Sequence, residues 1–231
     1  MEQNDSSDST NKTVQEELWD KEKAERHAKL TKMASRLIYA PFARKIVRNL
    51  PPLDNRSVVV DLGTGPGILS IELCKLLPKA KIIGIDPSRS MLEIAKKNAD
   101  KAKMSHFEPK RGRAEEIPLK SDSVDVVVNQ FSFHEWEDPQ KGLTEIFRVL
   151  KPGGSLVLRD FNRDWFFRWR LLFRFFVSMI GESCEDHLEM FKFTLNEVVT
   201  LLKRTGFDEI KGKGKGFTFF LHAVKNKEKI G

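Results

Sequence analysis

Cysteine is scarce in this chain. Its 231 residues include two, Cys74 and Cys184, which excludes a disulfide framework. Cys74 falls in the apolar pattern of a helix and reads as a small buried hydrophobe. Cys184 and His187 have Cys-x-x-His spacing, but no second pair completes a zinc site, so no metal is expected. Long uncharged runs are also absent. No N-terminal stretch resembles a signal peptide and no segment is apolar enough to span a bilayer, so a cytoplasmic protein is expected. Tyrosine occurs once, at Tyr39, against 17 phenylalanines, and no internal repeat is evident.

What is present suits a single domain with a full core and modest extensions: 40% of residues are hydrophobic and 32% charged. The net charge of +7 raises the question of nucleic-acid binding. The lysines are spread along helices and the tail, and no RNA-binding module is visible, so a basic soluble surface is the preferred reading.

The most informative stretch is VVVDLGTGPGILSIEL, residues 58–73. A β-branched run ends at Asp61, glycines follow at 63, 65 and 67, and a helical apolar pattern begins at Ile68. That is a buried strand, a tight turn and a helix start. Glycine accepts positive φ and lets a ligand approach the backbone. A dinucleotide fingerprint needs Gly-x-Gly-x-x-Gly, but here the third glycine comes one residue early. The Gly-Lys-Ser/Thr of a phosphate loop is absent too. Asp61 would repel a phosphate and suits a ligand carrying an ammonium group.

Further along, Lys81-Ile-Ile-Gly-Ile85 ends at Asp86, an acid placed to accept from ribose hydroxyls. Ser88 then reads as a helix N-cap, and Met91 falls in the first turn, where it can lie on an adenine face. A third apolar strand, residues 124–128, runs into Asn129-Gln130-Phe131. A Lys-Pro-Gly-Gly turn, residues 151–154, introduces a strand at 155–161. The coarse order is strand 57–62, helix 67–77, strand 81–86, helix 89–102, strand near 105–110, strand 124–130, helix 139–149, strand 155–161. This alternation predicts a parallel sheet with helices on both faces.

Upstream, residues 14–52 read as a helical cap, with Pro41 breaking it into two helices. The polar residues 1–13 read as a disordered tail. Residues 163–191 interrupt the rhythm. Helix resumes at 195–205 with Gly206 as its cap. Residues 207–211 form a strand, Gly212, Gly214 and Gly216 read as a hairpin turn, residues 217–224 make the last strand, and a charged tail follows.

The spacing Asp61-x-Gly63-x-Gly65-x-Gly67, Asp86, the strand ending at Asn129 and the string VLKPGG, in that order, resemble the class I S-adenosylmethionine-dependent methyltransferases. The likeness is greatest to the ubiquinone/menaquinone-biosynthesis-like branch. The resemblance implies a Rossmann-like, doubly wound α/β fold over residues 53–231: a seven-stranded sheet, mostly parallel, with a C-terminal antiparallel hairpin, helices on both faces and a helical lid insertion at about 163–191. It also implies S-adenosylmethionine as cofactor, with S-adenosylhomocysteine as product.

By the same resemblance Gly63, Gly65 and Gly67 line the methionine part, Asp61 supports its ammonium, and Asp86 with Pro87 and Met91 serves the nucleoside. Asn129 and Phe131 face the sulfonium region. The family's adenine loop usually reads Gly-Asp-Ala-Glu, whereas this chain has Gly112-Arg113-Ala114-Glu115. Arginine has no acceptor, so adenine contact falls to a stacked Arg113 guanidinium or to the Ala114 backbone.

The reaction that the resemblance implies is a displacement at a sulfonium methyl, in which alignment matters most. His134 is the best placed base for an acceptor that holds a proton; the alternative is a histidine that only hydrogen-bonds its loop or packs against the cofactor. The hydroxyl of Tyr39, in the cap, is a second catalytic candidate or else a packing tyrosine. Asp160, Asn162 and Arg163 sit at the expected acceptor edge, where any of them could hold a polar substrate group; the alternative is a plain surface loop. In residues 163–176, Arg163, Arg170 and Arg174 share one helical face while Trp165, Trp169, Leu172 and Phe176 share another. An aromatic lid over a small lipophilic acceptor competes with a core helix, a membrane-surface helix and a homodimer interface. Two other function classes stay open: an RNA or protein methyltransferase, and a non-catalytic scaffold.

Overall fold

The computed structural model describes residues 24–26, 28–29, 35–165 and 189–226. Among them are strands β1 (Val58–Leu62), β2 (Lys81–Asp86), β3 (Phe107–Arg111), β4 (Val124–Gln130), β5 (Leu150–Phe161), β6 (Glu209–Lys215) and β7 (Thr218–Val224). The helices are α1 (Ala40–Arg48), α2 (Ile68–Leu76), α3 (Arg89–Lys101), α4 (Pro139–Val149) and α5 (Leu195–Thr205). The strands form one sheet in the order β3-β2-β1-β4-β5-β7-β6. Pairs β1–β2, β2–β3 and β4–β5 are parallel, whereas β5–β7 and β6–β7 are antiparallel. The Rossmann-like α/β fold with its C-terminal hairpin is therefore as expected. Among the described residues no helix is long and apolar enough to cross a membrane.

The chain divides into two compact units, residues 1–113 and 114–231. In the first, Val59, Val60, Leu62, Ile82, Ile83 and Ile85 are all buried, the continuous apolar run of strands covered on both faces. Helix α1 buries Phe42, Ala43 and Ile46. Helix α1 starts at Ala40, one residue before Pro41, where the sequence places the break. A π-helical turn, Ser35–Tyr39, runs directly into α1. Pro41 falls in the first turn of α1, where a missing N–H costs nothing.

In the second unit, α4 buries Leu143, Ile146 and Val149, and α5 starts with a capping box of Thr194 and Glu197 and ends at left-handed Gly206. Two expectations need correction. Strand β5 starts at Leu150, because Val124 pairs with Leu150 while Val126 already pairs with Ser155. The Lys-Pro-Gly-Gly run is thus a bulge inside the ladder, tied down by Lys151 Nζ bonded at 2.7 Å to Asp125. The hairpin turn lies at Gly216, with φ 60°, and β6 extends through Gly212 and Gly214. An added Cβ at Gly212 would come within 2.8 Å of Leu221 and 2.9 Å of Leu195, so that glycine makes room for α5. Lys211, Lys213 and Lys215 alternate onto the opposite face and are exposed, a charge row of the kind that blunts an edge strand.

Lys225, read from the sequence as tail, is a structural anchor. Its Nζ donates to Phe147 O at 2.8 Å and Leu150 O at 2.7 Å, and pairs with Asp122 at 2.7 Å. It also lies 4.9 Å from the centre of the Phe147 ring. Lys225→Met leaves those carbonyls without their cap. We expect a loss of about 2–3 kcal/mol and a melting temperature roughly 5–10 °C lower by calorimetry; a drop below about 1 °C would show the anchor to be idle.

Candidate functional site

In the first unit the turn after β1 carries three positive-φ glycines: Gly63, Gly65 and Gly67 have φ of 73°, 51° and 77°. Amides of Gly63 and Thr64 donate to Ile85 O at 2.8 and 3.0 Å, which holds the turn against β2. At Gly65 an added Cβ would meet nothing within 4 Å; the backbone there faces open space, as close approach by a ligand requires. Gly67 has a different reason. Its Cβ would lie 2.9 Å from that of Ala95, so it also serves the packing of α2 on α3.

Asp61 is buried, and its Oδ2 accepts from Thr64 Oγ1 at 2.9 Å and Ser70 Oγ at 2.6 Å. Sequence reasoning missed this hydroxyl pair; its one signal is polar Ser70 inside the apolar run of α2. Burial raises the Asp61 pKa to about 6, against the pull of the two hydroxyls. Asp86 is also buried. Its Oδ2 accepts from Gly65 N at 2.8 Å and its Oδ1 from Ser88 N at 3.0 Å. The carboxylate thus pins the glycine turn to the end of β2 and keeps lone pairs for further donors. Its pKa also rises to about 6, through burial first and against the backbone bonds. Ser88 Oγ accepts from Met91 N at 3.3 Å as the cap of α3, and Met91 is 3% exposed. Pro87 O accepts from Arg111 Nε at 3.3 Å. Arg113 is half-buried. Tyr39 is half-buried at the junction of the π turn and α1.

The second unit gathers a different set. His134, in a short 3-10 turn after β4, meets Asp160 near the end of β5. His134 Nδ1 is 2.8 Å from Asp160 Oδ1, and the His134 amide donates to Oδ2 at 3.2 Å. The Phe161 amide also donates to Oδ1, at 2.7 Å. Asp160 is 2% exposed. It was expected at the acceptor edge; its oxygens orient His134, and a carboxylate there favours the tautomer with the proton on Nδ1, leaving Nε2 as the basic atom. Burial works against the charged imidazole, but the bond and charge of Asp160 outweigh it, and the His134 pKa is raised.

Around this pair lies an aromatic cluster. Phe131 stacks on Phe161 with centroids 4.7 Å apart, and the His134 ring meets Phe161 edge-on at 5.4 Å. Phe191 and Phe217 flank Phe161 at 5.4 and 6.4 Å, and Trp165 meets Phe217 at 6.1 Å. Phe131 has left-handed φ of 58°, a strained backbone that a bulky residue rarely adopts. Phe161, Phe191 and Phe217 were not anticipated, since each is distant in sequence from Phe131.

Other expected residues have local duties. Asn129 is fully buried and donates to Ser132 Oγ at 2.6 Å, closing the turn after β4. Ala114 is buried against Gly142. Asn162 Oδ1 accepts from Asp164 N at 3.2 Å and caps the turn that follows. Arg163 donates to Lys192 O at 2.6 Å and pairs with Glu197, so it joins two backbone segments. Trp169, Cys184 and His187 lie outside the described residues.

Comparison with known proteins fits this architecture. A family model described as a methyltransferase domain matches residues 53–208. The demethylmenaquinone methyltransferase of Deinococcus radiodurans is 39% identical over 104 residues, 45% of this chain and 42% of that protein. The ubiquinone/menaquinone biosynthesis C-methyltransferase of Geotalea daltonii is 32% identical over 124 residues, 53% of each. The chain thus spans about half the length of these first curated relatives or less. The demethylmenaquinone methyltransferase of Oceanobacillus iheyensis is 31% identical over 168 residues, 67% of this chain and 71% of that protein. Among solved structures, an S-adenosylmethionine-dependent methyltransferase from Aquifex aeolicus superposes with a TM-score of 0.68 at 22% identity, covering 90% of this chain and 99% of that one. Phosphoethanolamine N-methyltransferase 2 of Haemonchus contortus, solved with S-adenosylmethionine, gives 0.64 at 17% identity, covering 80% of this chain and 52% of that one. The chain belongs to the methyltransferase domain family, and its fold is that of the S-adenosylmethionine-dependent methyltransferases.

Proposed function

We propose that the chain is a cytoplasmic S-adenosylmethionine-dependent methyltransferase whose acceptor is a small, flat, hydrophobic molecule with an ionisable hydroxyl, such as a hydroquinone. The observation that carries the reading is the buried His134–Asp160 pair beside the aromatic cluster centred on Phe161. Aromatic walls suit a flat apolar body, and a histidine held in one tautomer suits removal of one proton. The names of the relatives, demethylmenaquinone methyltransferases among them, agree with that chemistry.

In this reading Asp61 faces the ammonium of the cofactor, Gly63 and Gly65 offer bare backbone to its methionine part, and Asp86 receives the ribose hydroxyls. Pro87, Met91, Arg113 and Ala114 serve the adenine. Bound S-adenosylmethionine supplies a methyl group on a positive sulfonium, which becomes a neutral thioether. The acceptor's hydroxyl would give its proton to His134 Nε2 as the methyl carbon leaves sulfur and bonds to that oxygen, or to the adjoining ring carbon, which would then lose its own hydrogen as a proton to solvent and so restore the hydroxyl. The proton then leaves to solvent, so charge balances. Asp160 is a positioning residue that holds the ring by Nδ1 and makes Nε2 the atom that takes the proton, and Tyr39 offers a second hydroxyl.

The test is calorimetric titration with S-adenosylhomocysteine, followed by transfer of labelled methyl to 1,4-naphthohydroquinone under reducing conditions. Saturable binding and label in the organic extract are expected. No binding ends the reading. The exposed row Lys211, Lys213 and Lys215 favours a polymeric anionic acceptor as second reading, and label recovered in RNA instead would select it.

A further inference from the structure

Gln130 ends β4, and neither reading of the site has used it. It is 6% exposed, and neither Oε1 nor Nε2 has a hydrogen-bond partner among the described residues. A primary amide brings two donors and two acceptor positions. Buried amides left unbonded at both ends are rare in native folds, because the lost hydration is not returned. A methionine or leucine would fill the same volume without that loss.

The local fold does not need the amide. The turn after β4 is closed by Asn129, which donates to Ser132 Oγ at 2.6 Å. The Phe131 amide donates to Arg159 O at 3.0 Å. Successive strand residues point to opposite faces, so Gln130 and Asn129 diverge. Gln130 is in register with Arg159 and shares its face of the sheet, where the Arg159 guanidinium lies 5.1 Å from the centre of the Phe131 ring. The residue that follows Gln130 is the left-handed Phe131, φ 58°. An unbonded buried amide and a strained aromatic residue therefore adjoin at the strand end that leads to His134.

We infer that the Gln130 carboxamide recognises a hydroxyl of the methyl acceptor. A hydroxyl accepts from Nε2 and donates to Oε1, so one group satisfies both ends; a carbonyl or an ether satisfies only the donor. This assigns Gln130 a part in specificity, selecting hydroxylated flat molecules over bare ones, and it rests on the flat-acceptor reading above.

The test compares 1-naphthol with naphthalene as ligands of the full chain saturated with S-adenosylhomocysteine, in wild type and Gln130→Met. Wild type should prefer naphthol by about tenfold or more, the worth of one buried hydrogen bond. Gln130→Met should bring the two ligands within about twofold of each other, and its ligand-free melting temperature should equal or exceed that of wild type. A melting temperature several degrees lower means that the amide is structural and overturns the inference. So does an unchanged preference in the variant, or wild type binding the two alike. Wild type that binds S-adenosylhomocysteine but neither naphthol nor naphthalene defeats the flat-acceptor reading itself, and the role of Gln130 with it.

Discussion

Asp86→Ala is expected to weaken S-adenosylhomocysteine binding by at least about a hundredfold, since the proposed role of Asp86 gives it two charge-assisted bonds to the ribose, worth about 1.5–3 kcal/mol each. The Gly65 amide also loses the oxygen that positions it at 2.8 Å. Titration calorimetry on the variant checks this, and a loss below about fivefold would take Asp86 out of the site. A pH effect accompanies it. Asp61 and Asp86 both have pKa values raised from the ordinary 3.8 to about 6. A raised carboxyl pKa means that the ligand-free fold prefers the protonated form. Its contribution to stability is full below about pH 4 and is lost as pH rises through 6. A cofactor that brings an ammonium to Asp61 and hydroxyl donors to Asp86 prefers the ionised forms instead. Binding should therefore release protons near pH 6, and affinity should fall up to about tenfold per carboxyl for each pH unit below that. Equal affinity at pH 5 and pH 7.5 would separate these carboxyls from the ligand.

His134→Gln should lower the rate of methyl transfer by about 10²- to 10⁴-fold while leaving S-adenosylhomocysteine affinity within about twofold. The imidazole must be neutral to take a proton. Its pKa is raised, so the wild-type rate should climb with pH through values above 6.5 and then level off. Asp160→Asn removes the negative charge that favours the imidazolium. The midpoint of the rate profile should move to lower pH and the plateau should fall, because the Nδ1 proton is no longer held. A histidine that only packed against Phe161 would leave the profile unmoved in both variants. Stability runs in the opposite sense to rate: the charged pair adds most below the unfolded pKa of histidine, and that part is lost as pH rises through the raised value.

The parts legible in the sequence are those fixed by local pattern. The glycine turn, the acid ending β2, the Ser88 cap and the capped helix α5 each announce themselves within a few residues. Asp160 was legible only as polar, because its partner His134 is 26 positions away. The same holds for Lys225, whose carbonyl partners lie 75 and 78 positions upstream. The glycines of β6 look like a turn because glycine signals permissive backbone, yet Gly212 is required by the crowding of Leu195 and Leu221, a demand that exists only once α5 has docked. Gln130 left no trace, since an unbonded amide is recognisable only when its surroundings are known.

Arg163 has a wider consequence. Its guanidinium reaches Lys192 O and Glu197, and its amide donates to Phe193 O at 3.0 Å. The exit from β5 and the approach to α5 are thereby clasped at one spot. Because Arg163 and residues 192–197 hold one another, a change of length in the sequence between them leaves the end of β5 and the start of α5 tied together, so evolution can alter that sequence at little cost to folding.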